Sequence, residues 1–168
     1  MRARIVGLVF VLGLVTVGVA VAGANANWST HAKGDQEVPA RETNAQAQAI
    51  FHLSKDATEL EYKLIASNID NVVQAHIHQG PRGANGPIGV FLYGLVPAAG
   101  GRTDGVLAQG TITAADFIGP FAGKTVAEVA ALMDAGGAYV NVHTNDGVAP
   151  IDTGPGDFPG GEVRGQIK

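Results

Sequence analysis

Alternation of apolar and polar residues with a period of two constrains this chain more than any other feature. Ala45, Ala47, Ala49, Phe51 and Leu53 fall on one side of a run, with Gln46, Gln48 and His52 on the other. Leu60, Tyr62, Leu64 and Ala66 repeat the pattern against Glu59, Glu61 and Lys63. Successive side chains of a strand point to opposite faces, so each run makes a strand with one dry and one polar face. Strand character recurs at Val73–Gln79, Ile88–Tyr93, Val106–Ile112, Ala138–Thr144 and Glu162–Ile167, with Trp28–Lys33 expected as an edge strand. Most of the 24 glycines separate these runs. Short strands punctuated by turn residues predict an all-β fold, a sandwich or a barrel. One short helix is expected from about Val126 to Ala135. Thr125 can cap it and Glu128 stands three residues on. Val126, Val129, Ala130 and Met133 give it an apolar stripe, and Gly136-Gly137 ends it. Thr113–Asp116 is expected to start a shorter helical turn.

The first 26 residues read differently. Arg2 and Arg4 precede an uncharged apolar run from Ile5 to Ala22, and Ala24-Asn25-Ala26 follows. A basic start, an apolar centre and a small-x-small site in that order predict a signal peptide at 1–26, leaving one domain at 27–168. The other reading is an uncleaved anchor, since about 17–25 apolar residues span a bilayer. The expected destination is secreted, periplasmic or extracellular. The net charge of the chain is −4, and the leader carries two of its bases and no acid, so the domain is more acidic still. An acidic domain without a basic block predicts no nucleic-acid partner and, after cleavage, no membrane partner. An extracellular protein partner stays open.

There is no cysteine. That excludes thiol catalysis, zinc-thiolate sites and blue-copper ligation, so a metal must be held by imidazole, carboxylate or carbonyl groups. No Gly-x-Ser-x-Gly, phosphate-binding loop or dinucleotide fingerprint is present. Gly80–Gly86 reads as a turn between strands. Asn145–Gly161 is a long loop carrying Asp146, Asp152 and Asp157, whose spacing is not that of a calcium loop; a solvated acidic loop is expected.

The chemistry gathers on three segments. In Ala75-His76-Ile77-His78, Ala75 and Ile77 face the core, which sends His76 and His78 side by side to the other face. In Tyr139-Val140-Asn141-Val142-His143-Thr144, Val140 and Val142 point inward, and Tyr139, Asn141 and His143 outward. In Glu162–Ile167, Val163 and Ile167 point inward, and Glu162, Arg164 and Gln166 outward. His-x-His on a strand sets two imidazoles on one rigid face. A third from another strand completes a three-nitrogen site with an open position. Imidazole ligation suits copper or zinc, and copper stands higher in the affinity order. The ligand set expected is His76, His78 and His143, with copper ahead of zinc; a structural, hydrogen-bonded histidine cluster is the alternative. His31 and His52 have no such neighbours and are expected at the surface.

The same segments resemble the CHRD domain family, named after the repeated domains of chordin. The resemblance rests on Gly34-Asp35-Gln36-Glu37-Val38-Pro39, Ala75–Gly80, Gly83-Ala84-Asn85-Gly86-Pro87, Tyr139–Thr144 and Gly161–Gln166, in that order, across residues 28–168. It implies an extracellular β-sandwich and no general activity; the fold expected is an all-β, Greek-key (immunoglobulin- or superoxide-dismutase-like) β-sandwich with one short helix. The loop 145–161 is longer than the connection usual there. A looser similarity concerns copper-zinc superoxide dismutases, which also carry His-x-His and a later copper-binding histidine on an immunoglobulin-like sandwich. Their bridging histidine, zinc-loop ligands and cysteine pair have no counterpart. By that similarity Arg164 is a candidate anion-attracting group beside the metal, and redox activity an expectation. Three readings follow: a secreted copper-binding domain, redox active by the dismutase similarity; a non-enzymatic extracellular binding or matrix module with structural histidines; and a hydrolase using the acidic loop.

Overall fold

The computed structural model describes residues 26–168. All but the last residue of the expected signal segment lies outside that range. Eight strands form: β1 Asn27–Lys33, β2 Gln46–Leu53, β3 Leu60–Asp70, β4 Val72–Gln79, β5 Ile88–Gly94, β6 Arg102–Ile112, β7 Ala138–Thr144 and β8 Val163–Gln166. They pair antiparallel in one sheet of order β5-β4-β7-β8-β1-β2-β3-β6. The sheet curls until its two edges approach, and the Tyr62 hydroxyl of β3 donates 2.7 Å to the Leu92 carbonyl of β5. The two layers expected of a sandwich are therefore two halves of one nearly closed sheet. Closure leaves little edge to template aggregation.

The alternation read from sequence places the core. Phe51, Leu60, Leu64, Ile77, Val140, Val142 and Val163 are at most 1 % exposed, and both halves of the sheet contribute to one cluster. β1 departs from expectation. It pairs along its whole length with β2 and also meets β8 at Lys33↔Arg164, so it is interior, not an edge. Its Trp28, Thr30 and Ala32 are buried in alternation, a pattern that an interior strand with one polar face shares with an edge strand. The chain passes from β3 to β4, which are not paired, through the single residue Asn71. Its φ of 55° is a left-handed conformation that asparagine tolerates. The Asn71 carboxamide accepts from Gly101 N and donates to Gly156 O, fixing that corner.

The one α-helix, α1 Val126–Asp134, follows from its capping box. Thr125 Oγ1 accepts from Glu128 N, and the Glu128 carboxylate accepts from Thr125 N at 2.7 Å. Its stripe, Val126, Val129, Ala130 and Met133, is buried as expected. Trp28 Nε1 of β1 donates to Asp134 Oδ1 at 2.7 Å and ties down its far end. Thr125→Ala should cost about 1 kcal/mol, read as a lower denaturation midpoint in urea. An unchanged midpoint would mean that packing alone starts this helix. The shorter turn is a 3-10 segment, Ala114–Asp116, capped by Thr113.

Candidate metal centre

The site is built on two adjacent strands. β4 pairs with β7 in the register His78↔Tyr139, His76↔Asn141 and Gln74↔His143. Ala75 and Ile77 are fully buried in the core, so His76 and His78 leave by the opposite face, where β7 places His143. His76 Nδ1 and His143 Nε2 are 3.1 Å apart. One nitrogen from each of the three rings lies within 4.8 Å of the others. Two nitrogens bound at about 2.0–2.1 Å to one ion stand some 3–4 Å apart. The widest gap closes with about an ångström of movement.

The polar face is not open to solvent, as an outer face would be. His76 is 0 %, His78 7 % and His143 6 % exposed, and every residue of β7 is buried. Three loops cover it. Gly86 O, from the turn after β4, takes the His78 Nδ1 proton at 2.8 Å. Pro159 O, from the loop before β8, takes the His143 Nδ1 proton at 2.9 Å. Glu37, from the loop after β1, receives the Asn141 amide at 3.2 Å. The loop 145–161 is thus more than a solvated acidic connection: Asp157 and Phe158 are buried, and Pro159 holds a ring of the site. Phe91 of β5 closes one side, its ring edge-on to His76 at 4.4 Å.

Those carbonyls determine the tautomers. A carbonyl cannot donate, so Nδ1 carries the proton in His78 and His143, leaving each Nε2 a lone pair. His143 Nε2 then accepts from His76 Nδ1, so its lone pair reaches an ion only when that hydrogen bond opens, while His76 Nε2 keeps a lone pair throughout. His76 Nε2 and His78 Nε2 are buried with no hydrogen-bond partner. Burial, with repulsion from His143 and His78, lowers the His76 pKa to about 3. Burial lowers that of His143 to about 4, against the raising effect of Pro159 O, and burial also lowers that of His78. All three are neutral near pH 7, the form that binds metal. Glu37 runs the other way: burial outweighs Arg164, Asn141 and Arg41 and raises it to about 7.

Arg164 does not point into the triad. It is 1 % exposed, and its guanidinium lies 3.5 Å over the Tyr139 ring, whose other face stacks on His78. Glu162 is fully buried and its oxygens accept from Thr43, Thr144 and Gly156 N. Asp157 Oδ2 is held by Thr153. These carboxylates organise the loop. His31 and His52 are exposed, paired with Gln46 and Asn27, away from the triad.

The sequence pattern of the CHRD domain matches residues 28–167. The chain belongs to the CHRD domain family. No curated protein and no solved structure matches it. CHRD domains are typical of extracellular proteins, and among the described residues no helix is long and apolar enough to cross a membrane. The segments that carry the resemblance meet at one place in this CHRD domain. Glu37 of the first motif, His76 and His78 of the second, Gly86 of the third, His143 of the fourth and Arg164 of the last all surround the triad. Gly86 shows why the third motif needs its glycine: a Cβ there would lie 1.7 Å from the Gln79 carbonyl oxygen. Gly86→Ala should cost about 2–4 kcal/mol by forcing that backbone contact apart. Urea unfolding reads it, and a cost under about 0.5 kcal/mol would mean that the turn simply reshapes.

Proposed function

We propose that this CHRD domain is an exported, mononuclear metal-binding protein, with copper as the ion and His76, His78 and His143 as its ligands. The observation that carries this is the pair of buried, unpartnered imidazole nitrogens, His76 Nε2 and His78 Nε2, beside the third ring. A buried polar atom without a partner costs about 1–3 kcal/mol, and an ion in the pocket would satisfy it. Carbonyl bonds at the far nitrogen of His78 and His143 are what metal-binding imidazoles ordinarily have. Three neutral nitrogens without thiolate or carboxylate leave an open coordination position and favour copper over zinc on intrinsic affinity. Copper so held would supply a one-electron couple; the chain's part is to hold the three lone pairs in a dry, shaped site. Export is supported by the basic, apolar and small-residue order of residues 1–26 and by the family.

The test is titration of metal-free protein with Cu(II). One equivalent should bind, with nitrogen hyperfine structure in the electron spin resonance spectrum. Absence of uptake would make the histidines structural and leave an extracellular binding module as the better reading. Tighter binding of zinc would keep the site and change the ion. Peptide mass mapping of the exported protein should find Asn27 at its N-terminus; an intact apolar run in a membrane fraction would replace export with anchoring.

A further inference from the structure

Arg164 is the bulkiest fully buried side chain, and among the described residues no carboxylate forms a salt bridge with it. Glu37 acts on it only through space; a buried guanidinium without a direct ion pair is costly, so its other contacts must compensate. They all lead one way. Nη2 donates to Pro81 O and Ala84 O, both at 2.8 Å, and Nη1 to Asn85 Oδ1 at 3.2 Å. These three acceptors fix the turn that ends in Gly86, whose carbonyl takes the His78 Nδ1 proton. The flat face of the guanidinium covers Tyr139 at 3.5 Å, and Tyr139 stacks on His78 at 4.8 Å with the rings 11° from parallel. The Tyr139 hydroxyl accepts from Gly86 N at 3.0 Å, which joins the ring to the turn.

We infer that Arg164 is a positioning residue that holds His78 in one plane and one tautomer, through the Tyr139 ring and through the turn at 80–86. The tautomer matters because His78 with its proton on Nε2 has no lone pair facing His76 and His143. Lysine cannot replace this arginine: its ammonium keeps the charge but has no plane to stack and no fork to hold several fixed acceptors. The consequence for metal capture rests on the copper reading above; the hold on His78 does not.

The experiment separates the two. Nitrogen-15 NMR of metal-free protein at about pH 7.5 reports each imidazole tautomer, since the rings are then neutral. In the wild type His78 should be the Nδ1–H form. In Arg164→Lys it should become a mixture, while His143, held by Pro159 O, keeps its signal. Asn85→Ala, a change on the exposed turn that spares the core, removes one of the three acceptors and should shift His78 in the same direction by less. Copper affinity should fall about 10- to 100-fold in Arg164→Lys. It should show no additional fall when the same change is made in His78→Ala protein, because the effect passes through that ring. The inference is overturned if His78 keeps its tautomer in both variants, if His143 shifts as much as His78, or if the copper penalties of Arg164→Lys and His78→Ala simply add. Should the wild type take up no copper, the copper reading fails, and the NMR result alone decides the role of Arg164.

Discussion

Replacing His143 by alanine is expected to lower Cu(II) affinity by at least about 100-fold, and replacing His76 or His78 to do the same. Loss of a group that merely orients a ligand costs about 10- to 100-fold, and loss of the ligand itself costs more. The geometry leaves no substitute: among the described residues His76, His78 and His143 are the one set of three or more histidines and carboxylates close enough to share an ion. His31→Ala and His52→Ala are the controls, since both rings are exposed and paired elsewhere. Their affinities should stay within about twofold of the wild type. Isothermal titration with a competing chelator measures all five. If His143→Ala keeps its copper while His31→Ala or His52→Ala loses it, the triad is the wrong constellation.

Acid should unfold the metal-free protein in a window set by these rings and partly masked by Glu37. The unfolded state binds a proton on each histidine near pH 6.5, whereas folded His76 resists to about 3 and folded His143 to about 4. Between those values the unfolded chain holds more protons, so stability falls as the pH falls from about 6.5. Glu37 has the opposite sign. Its folded pKa is raised to about 7, so its contribution is complete below its unfolded value of 4.5 and is lost as the pH rises through 7. Between about pH 6.5 and 4.5 Glu37 offsets part of the histidine loss; below that range it adds no further offset. By pH 4 the two strongly shifted rings remove on the order of 5 kcal/mol, comparable to the whole stability of many domains. Urea midpoints across pH should therefore decline gently to about pH 4.5 and steeply below it. Glu37→Gln should make the decline begin nearer pH 6.5, and bound copper should move the loss to lower pH. A flat profile between pH 6.5 and 4 would mean that the rings protonate in the folded state.

Much of this is legible in the sequence alone. Ala75 and Ile77 both read as inward, and that settled where His76 and His78 must point. The same logic from Val140 and Val142 placed His143 with them. Thr125 and Glu128 fixed the start of α1. What could not be read was the fate of that polar face. Period-two alternation tells which residues share a face, and says nothing about whether loops then lie over it. The cover here comes from Glu37, Gly86 and Pro159, and it depends on contacts such as Glu37 to Asn141 across 104 residues. β1 reads as an edge strand for a related reason. A strand with one dry face looks the same whether it has one neighbour or two, and β8, its second neighbour, lies at the other end of the chain. Arg164, outward by alternation, is expected beside the metal as an anion-attracting group by the dismutase similarity. A pair of loop carbonyls and a tyrosine face reverse that expectation, and only the fold brings them together.

The distribution of the site along the chain bears on when it can come into being. Thr43 bonds to Glu162 across 119 residues, and β1 meets β8 only after every other strand has been made. Contacts this distant in sequence pay their loop-closure entropy late and fold slowly. Until β8 docks, Arg164 cannot grip the turn that orients His78, and Pro159 cannot orient His143. A nascent or threaded chain therefore displays His-x-His as an ordinary weak chelator, without the third nitrogen or the dry walls. On the copper reading, tight capture would become available only to the finished fold, and the compartment where folding completes would select the ion.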